Sequence, residues 1–398
     1  MFGWHAEILT VDDAHSDLFK DNLLLQSIPA ATKVYKVNAL NKKWTSKFGL
    51  GSIALRSLLA YKTKANSILK KNKFDLVYFS TTQFPVCILG AYWKKKFNIP
   101  YVIDMQDPWH SDYYKNKPKE QRPQKYWFSY LLNKYLEPLA IKNCGGIISV
   151  SKNYIDDLKL RYPVIRHIPA RVITFGSFDK DMQIARDNQH LFESVLDNNF
   201  TNIVYIGRGG LDMHAAITPL FEALKAGLKT DPELYNKIRL YFIGTSYAAS
   251  GKGTPTILPL AKKFGVEHCV IEKTDRISFY HTIMTLKQAD ALFVPGSDNP
   301  QYSASKIYPY LLSYKPLLTI FNSNSPIIEI LNEFGSVYNY SYNKTECLQD
   351  KIHTFLIKII KKEIDSPVYN KAAENKYSSK NMTKLQCEFF NQIINGKN

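Results

Sequence analysis

Three clusters of residues in this chain have side chains whose types and spacing suit chemistry on anions or hydroxyls. The first is Ile206-Gly207-Arg208-Gly209-Gly210. Glycines after an apolar run let backbone N–H groups approach an anion closely, and an Arg guanidinium can grip two phosphate oxygens at once. The same residues also suit a tight strand-to-helix turn with a solvent-facing Arg208. The second cluster runs from Gly296 through Ser297, Asp298 and Asn299 to Ser303, Ser305 and Lys306, at the start of a predicted helix. Hydroxyls, unsatisfied N–H groups at a helix end and an ammonium make a second anion site, and two such sites in one domain suit a diphosphate. Ordinary capping by Ser303 or Ser305, with Lys306 exposed, is the alternative. The third is Asp104-Met105-Gln106-Asp107-Pro108-Trp109-His110. A carboxylate or imidazole there, at a strand's carboxyl end, can polarise an acceptor hydroxyl. A loop braced by Pro108 and a packed Trp109 explains the same residues equally well.

Other chemistries are less well served. There is no HExxH, no Cys/His spacing and no DxD-type acidic run, so no metal site is expected. Gly251-Lys252-Gly253-Thr254 falls short of a P-loop, because Gly253 separates the lysine from the hydroxyl. It reads as a loop. No G-x-S-x-G nucleophile elbow occurs, and His281 reads as a structural histidine on a helix.

The clusters lie in a chain that alternates short β-rich runs with longer helical patterns, the signature of parallel sheets with crossover helices. In the first half, strands are predicted at residues 6–11, 34–37, 75–80, 101–105 and 146–150. Helices are predicted at 53–71, on the spacing of Leu55, Leu58, Leu59 and Ile68, and at 124–142. A second alternation places strands at 202–206, 238–243, 269–272, 291–294 and 316–320, with a helix opened by Thr218-Pro219. Two doubly wound sheets in tandem imply a cleft faced by the carboxyl ends of both sets of strands. The expected layout is a first domain over 1–170, an inter-domain region over 171–200, a second domain over 201–375, and a terminal helix over 376–398 that returns to the first domain.

The composition is globular: 398 residues, 45% hydrophobic and 22% charged. No apolar run is long enough to span a bilayer, and the first residues lack the pattern of a secretory signal. Five scattered cysteines without a CxxC argue for a reducing compartment. The net charge of +17 is uneven: residues 1–165 hold 25 basic against 13 acidic side chains. One-sided basicity points to a polyanion or an anionic bilayer, and equally suits solvated helix faces. Trp93, Trp109, Tyr113, Tyr114, Tyr126, Trp127 and Phe128 interleave with the lysines and favour the bilayer. No nucleic-acid-binding motif is present, so nucleic acid is not an expected partner.

On these motifs the chain resembles bacterial GT-B fold glycosyltransferases of the large retaining nucleotide-sugar family (glycosyltransferase family 4-like) that builds capsules and exopolysaccharides. Residues 2–11 are similar to that family's second strand, and 99–109 to its D-x-R-D-P-W segment with Gln106 for Arg. Residues 145–151 resemble its next buried strand, and 305–316 its K-x-x-E-Y-L helix ending in Lys-Pro. The resemblance implies an α/β chain of two Rossmann-like domains facing a cleft. The second domain would bind a nucleotide-sugar donor as substrate, and the first a glycan or lipid-linked acceptor. By match, Gly207, Arg208, Gly209, Ser305 and Lys306 would hold the donor diphosphate, and Asp107 would act beside the transferred sugar, with no metal and no further cofactor. The implied location is cytoplasmic, peripheral at the inner face of the plasma membrane.

Two departures stand out. Where many members carry paired glutamates, this chain has Gln301 and Pro309. The family's opening strand, Gly-rich loop and helix, about 30 residues, also have no counterpart before residue 2. An upstream start or a truncation is expected, with poor stability and weak activity for residues 1–398. A GT-B sugar-nucleotide epimerase and a catalytically impaired GT-B scaffold subunit are the alternatives.

Overall fold

The structure, a computed structural model, describes residues 1–16, 20–48, 50–119, 122–123, 125–300, 302 and 305–396. The chain divides into two compact units. One holds Met1–Lys20, Pro29–Thr174 and Met382–Asn398; the other holds Asp21–Ile28 and Phe175–Asn381.

In the first unit the strands are β1 (Glu7–Val11), β2 (Lys33–Val37), β3 (Val77–Ser80), β4 (Tyr101–Met105), β5 (Gly146–Ser149) and β6 (Ala170–Val172). All pair in parallel, but in two separate ladders: β1-β2, and β3-β4-β5-β6. β4 and β5 are buried along their whole length, as parallel strands covered on both faces must be. One face packs Phe79, Trp93, Tyr101, Ile103 and Ile147. The other packs Val102 and Ile148 against Phe389 and Phe390 of helix Ser379–Ile394. That helix can approach because Gly146 has no side chain; a Cβ there would strike the Phe389 ring.

Helix Ile53–Lys71 has the expected bounds but not the expected face. Leu59 is exposed, and the buried positions are Ala54, Arg56, Ser57 and Ala65. Small residues and an arginine that donates to the Leu40 carbonyl line the inner face, a pattern that a count of large apolar residues passes over. Helix Ile88–Phe97 ends on Asn98 in the left-handed region, with Lys94, Lys95 and Lys96 in its last turn. There they favour the negative end of the helix, and Lys94 donates to the Asn143 carbonyl. Trp93 and Trp109 are buried and so cannot serve a bilayer-facing surface.

The second unit forms one continuous parallel sheet. Its strands are β7 (Thr201–Ile206), β8 (Ile238–Ile243), β9 (Val270–Lys273), β10 (Ala291–Pro295), β11 (Leu317–Phe321) and β12 (Tyr338–Ser341), in the order β12-β11-β10-β7-β8-β9. The chain starts at the central β7, winds outward to β9, then returns to the other side of β7. Helix His214–Thr230 begins four residues before the expected Thr218-Pro219 start. Its stripe Ile217, Leu220, Phe221 and Leu224 is fully buried, and that burial carries the helix through Pro219 despite one missing N–H.

The expected inter-domain region, 171–200, contains the boundary between the units, after Thr174, and from Phe175 on it is folded into the second unit. Helix Asp179–Asp187 packs Met182, Ile184 and Ala185 against Tyr280 and Ile283 of helix Phe279–Gln288, all within the second unit. β6 and β12 were not foreseen; each is short and half-buried at a sheet edge, where alternation is weakest.

Candidate active site

In the second unit the winding reverses between β7 and β10, the place where doubly wound sheets bind ligands. The ladder there has only two register pairs, Ala291↔Ile203 and Leu292↔Val204. Beyond them the Tyr310 hydroxyl takes over, accepting from the Ile206 N–H at 2.7 Å and donating to the Ile206 carbonyl at 3.1 Å. The loops after β7 and β10 therefore open side by side at the carboxyl ends.

Asp212 ties these loops together. It holds Arg208 through two bonds of 2.9 and 2.5 Å and accepts from Ser297 Oγ at 2.6 Å, while its carbonyl accepts from the Asp298 N–H at 2.7 Å. Burial pushes the Asp212 carboxyl up, but the bonds from Arg208 and Ser297 outweigh it and hold the group below its usual range. Arg208 is raised by the same pair. Two of its five guanidinium donors are engaged by Asp212, and among the described residues the other three have no partner. Its face lies 5.6 Å from the Tyr302 ring.

Lys306 enters from the other side. Its Nζ donates to Tyr205 Oη at 2.7 Å, and that hydroxyl donates to the Arg208 carbonyl at 2.8 Å. A Cβ on Gly207 would collide with Lys306 Nζ, so the glycine is what admits the ammonium. Loss of water, then repulsion from Arg208 and Arg276, lowers Lys306 to about 7. Arg208 and Arg276 thus lie near enough to Lys306 to repel its ammonium, with Asp212 opposing them, an arrangement that a bound anion relieves.

The sequence-predicted residues Gly207, Arg208, Gly209 and Lys306 come together here. Gly209 fits closely under Thr245, whose carbonyl accepts its N–H at 2.8 Å. Ser305 is exposed in a turn, and the helix expected near it starts at Ile307 and spans five residues, with no side-chain cap. Lys306 is accordingly not the exposed lysine of the capping alternative. Ser303 and Gln301 lie outside the described residues. Pro309 sits within the short helix and offers its carbonyl to Ser313 Oγ. Sequence reasoning missed Tyr205 and Asp212; the four-residue Arg208–Asp212 spacing was the available signal.

In the first unit the β4 end separates two carboxylates by role. Asp104 is buried and accepts from Tyr78 Oη at 2.8 Å and Gln106 Nε2 at 3.1 Å; burial raises it and these bonds oppose the rise. Asp107 is surface-accessible and has no hydrogen-bond or ion-pair partner among the described residues. Partial loss of water raises it. It lines a hollow of about 380 Å³ with Phe84, Pro85, Trp109 and Asn133.

The loop behind Asp107 is braced: Trp109 stacks on Phe84 at 5.4 Å and donates to Asn133 at 3.1 Å. Glu137, fully buried, accepts from the His110 N–H at 3.1 Å and pairs with Arg161 at 2.9 Å. His110 is buried and neither ring nitrogen has a partner among the described residues; burial and then Arg161 lower it. His281 bonds the Glu193 carbonyl at 2.9 Å and stacks on Phe192, a structural role. Among the described residues no group of three or more His, Cys, Asp or Glu converges on a point.

Comparison with known proteins bears on the fold. Residues 36–176 match the sequence model of Glycosyltransferase Family 4. A Burkholderia vietnamiensis α,α-trehalose-phosphate synthase (UDP-forming) superposes with TM-score 0.56 at 8% identity, over 98% of this chain and 97% of that one. The Escherichia coli trehalose-6-phosphate protein bound with UDP-2-fluoro glucose gives 0.54 at 10% identity, covering 97% and 99%. The N-terminal domain of Candida albicans trehalose-6-phosphate phosphatase gives 0.58 at 11% identity, covering 91% and 84%. No curated protein matches the sequence. The fold is GT-B, with two Rossmann-like domains, and the resemblance read from the motifs is borne out by the family match over the first unit.

Proposed function

We propose that the protein is a nucleotide-sugar-dependent glycosyltransferase of retaining, metal-independent type, acting on a cell-envelope or exopolysaccharide acceptor. The observation that carries the reading is the Arg208–Lys306 pair at the β7/β10 switch point. As the bond from sugar to diphosphate breaks, negative charge grows on the leaving oxygens. Fixed cations stabilise that charge more than they stabilise the ground state. The UDP-sugar analogue on the E. coli structure of the same fold supports a nucleotide sugar as donor. Asp107, without a partner among the described residues and raised by burial, is the group that polarises the acceptor hydroxyl or steadies the sugar cation.

A peripheral place on an anionic membrane surface fits helix Tyr126–Ile141. It turns Trp127, Leu131, Tyr135 and Leu139 to solvent at four-residue spacing, with Phe128 beside them, and Arg122 lies 5.5 Å from the Trp127 ring. The catalytically impaired scaffold is the second reading, favoured by Pro309, which supplies no carboxylate where many relatives of this type carry one.

A panel of nucleotide sugars, scored by thermal shift and by product analysis, separates these readings. The transferase reading expects one donor to raise the melting temperature and to yield a transferred sugar when acceptor is added. Stabilisation without any product would favour the scaffold. Vesicle flotation tests the membrane reading: binding should require anionic lipid and fall with salt.

A further inference from the structure

The loop that follows β8, residues 244–257, runs beside the anion loop that follows β7. The two strands are paired from Thr201↔Ile238 to Ile206↔Ile243, so their loops leave the sheet side by side. The two loops meet at Gly209. Its N–H donates to the Thr245 carbonyl at 2.8 Å. A Cβ on Gly209 would stand 2.9 Å from Thr256 Oγ1 and 3.0 Å from Thr245 Cβ. The glycine next to Arg208 is therefore seated between two threonines, one near each end of the longer loop.

Both threonines are held by one carboxylate on the next strand. Glu272, on β9, accepts through Oε1 from Thr245 Oγ1 at 2.7 Å and from the Thr256 N–H at 3.0 Å. Its Oε2 accepts from the N–H groups of Ile257 and Leu258 at 3.0 and 2.7 Å, where helix Leu258–Phe264 begins. Hydrogen bonds to an ionised acceptor are about twice as strong as neutral ones. The helix after the anion loop joins the same network, since His214 Nε2 lies 3.0 Å from the Thr256 carbonyl.

The outer part of the loop has a different anchor. Asp275 accepts from Ser250 Oγ at 2.6 Å and from the Gly251 N–H at 3.0 Å. Two carboxylates thus hold one loop, and of the two it is Glu272 that holds the residues seating Gly209.

We propose that Glu272 is a positioning residue for the donor diphosphate. Acting through Thr245 and Thr256, it fixes Gly209 and with it the direction in which Arg208 presents its guanidinium. The inference rests on the reading of Arg208 and Lys306 as the diphosphate site. Glu272 is assigned no contact with the ligand, because four donors already occupy its oxygens.

The test measures, in the full chain, calorimetric affinity for a nucleoside diphosphate (the tightest of UDP, ADP and GDP) and amide exchange without ligand. Glu272→Gln keeps the shape of the side chain but replaces one acceptor oxygen by an NH2 that faces donors. It is expected to bind about tenfold more weakly than the parent. In its background the cost of Arg208→Ala should shrink to about threefold or less, the non-additivity of residues that act as one unit. The Gly209 amide should exchange about tenfold or more faster, while that of Leu292, bonded to the Pro316 carbonyl, keeps its rate. Thr245→Val should reproduce the loss of affinity and Thr245→Ser should retain the parent value. Asp275→Asn, which loosens the same loop elsewhere, should stay within about twofold of the parent.

Parent-like affinity in Glu272→Gln, an undiminished cost of Arg208→Ala in its background, or equal losses in Asp275→Asn would each overturn the proposal while leaving the diphosphate reading in place. So would faster exchange at Thr256, Ile257 and Leu258 with none at Gly209, which would confine Glu272 to its own loop. A parent chain that binds none of the three nucleotides would instead remove the diphosphate reading, and this proposal with it.

Discussion

The two units answer the same folding problem differently. In the second, the six strands form one ladder, and β7, β8, β10 and β11 are buried nearly end to end. In the first, β1 is exposed or half-buried along its whole length and β3 buries only Phe79, each standing at the end of its own ladder. The groups suited to chemistry divide along the same line. The second unit gathers cations at a closed switch point, where position is enforced by Asp212, Tyr205 and Tyr310. The first offers a lone carboxylate, Asp107, on a loop braced from behind by Trp109 and Glu137. In both units side-chain clamps at the strand ends fix these groups; what differs is how many of them converge and how deeply they are buried.

Separating the two contributions is the sharpest use of that contrast. Asp107→Asn should lower turnover by about 100-fold or more while leaving the donor-induced thermal shift intact. Loss of the shift in that variant would erase the division of labour between units. Amide exchange probes the sheets directly. Amides in β8 and β10 should exchange at least ~100-fold more slowly than those in β1, because the first open only with the whole unit. Equal protection would show that the interruption has no energetic weight.

The clamp behind Asp107 gives an effect of middle size. Arg161→Ala leaves the buried Glu137 carboxylate unpaired and should cost about 2 kcal/mol at neutral pH, less than for a fully buried pair because Arg161 is partly exposed. Burial raises the Glu137 carboxyl in the folded state, so the native form takes up a proton at higher pH than the unfolded chain. The deficit should therefore shrink as pH falls through that raised value, as followed by denaturant unfolding across pH. A deficit independent of pH would place the cost in packing.

Lys306 supplies the smallest and most specific effect. Its folded value, about 7, lies below the ordinary 10.5, so the unfolded chain holds more protons between these pH values. The free protein therefore gains stability from this group as pH rises from about 7 toward 10.5. Diphosphate affinity runs the other way, since it needs the ammonium, and should weaken by up to about tenfold per pH unit above 7. Lys306→Met should flatten both profiles.

Much of this was legible in the residues. Strand β10 is a continuous apolar run, β4 and β8 are apolar but for Asp104 and Arg239, and helix Ile53–Lys71 has the bounds its spacing predicts, because buried parallel strands and amphipathic helices leave strong patterns. The glycines at 207 and 209 flagged the switch point. Tyr205 was hidden because a tyrosine within an apolar run reads as core. Asp212 was hidden because its partners Ser297 and Asp298 lie some 85 residues away in sequence. The break between β1 and β3 could not be read from alternation, which reports that strands exist but not which edges meet.

The claim on which the rest depends is that Arg208 and Lys306 hold a diphosphate. Calorimetric titration of a nucleoside diphosphate into the full chain, and into Arg208→Ala and Lys306→Ala, tests it directly. The expected result is saturable binding that weakens about 10- to 100-fold in each variant, while the unliganded variants keep the far-UV dichroism of the parent. Binding of equal strength in all three proteins would contradict the account.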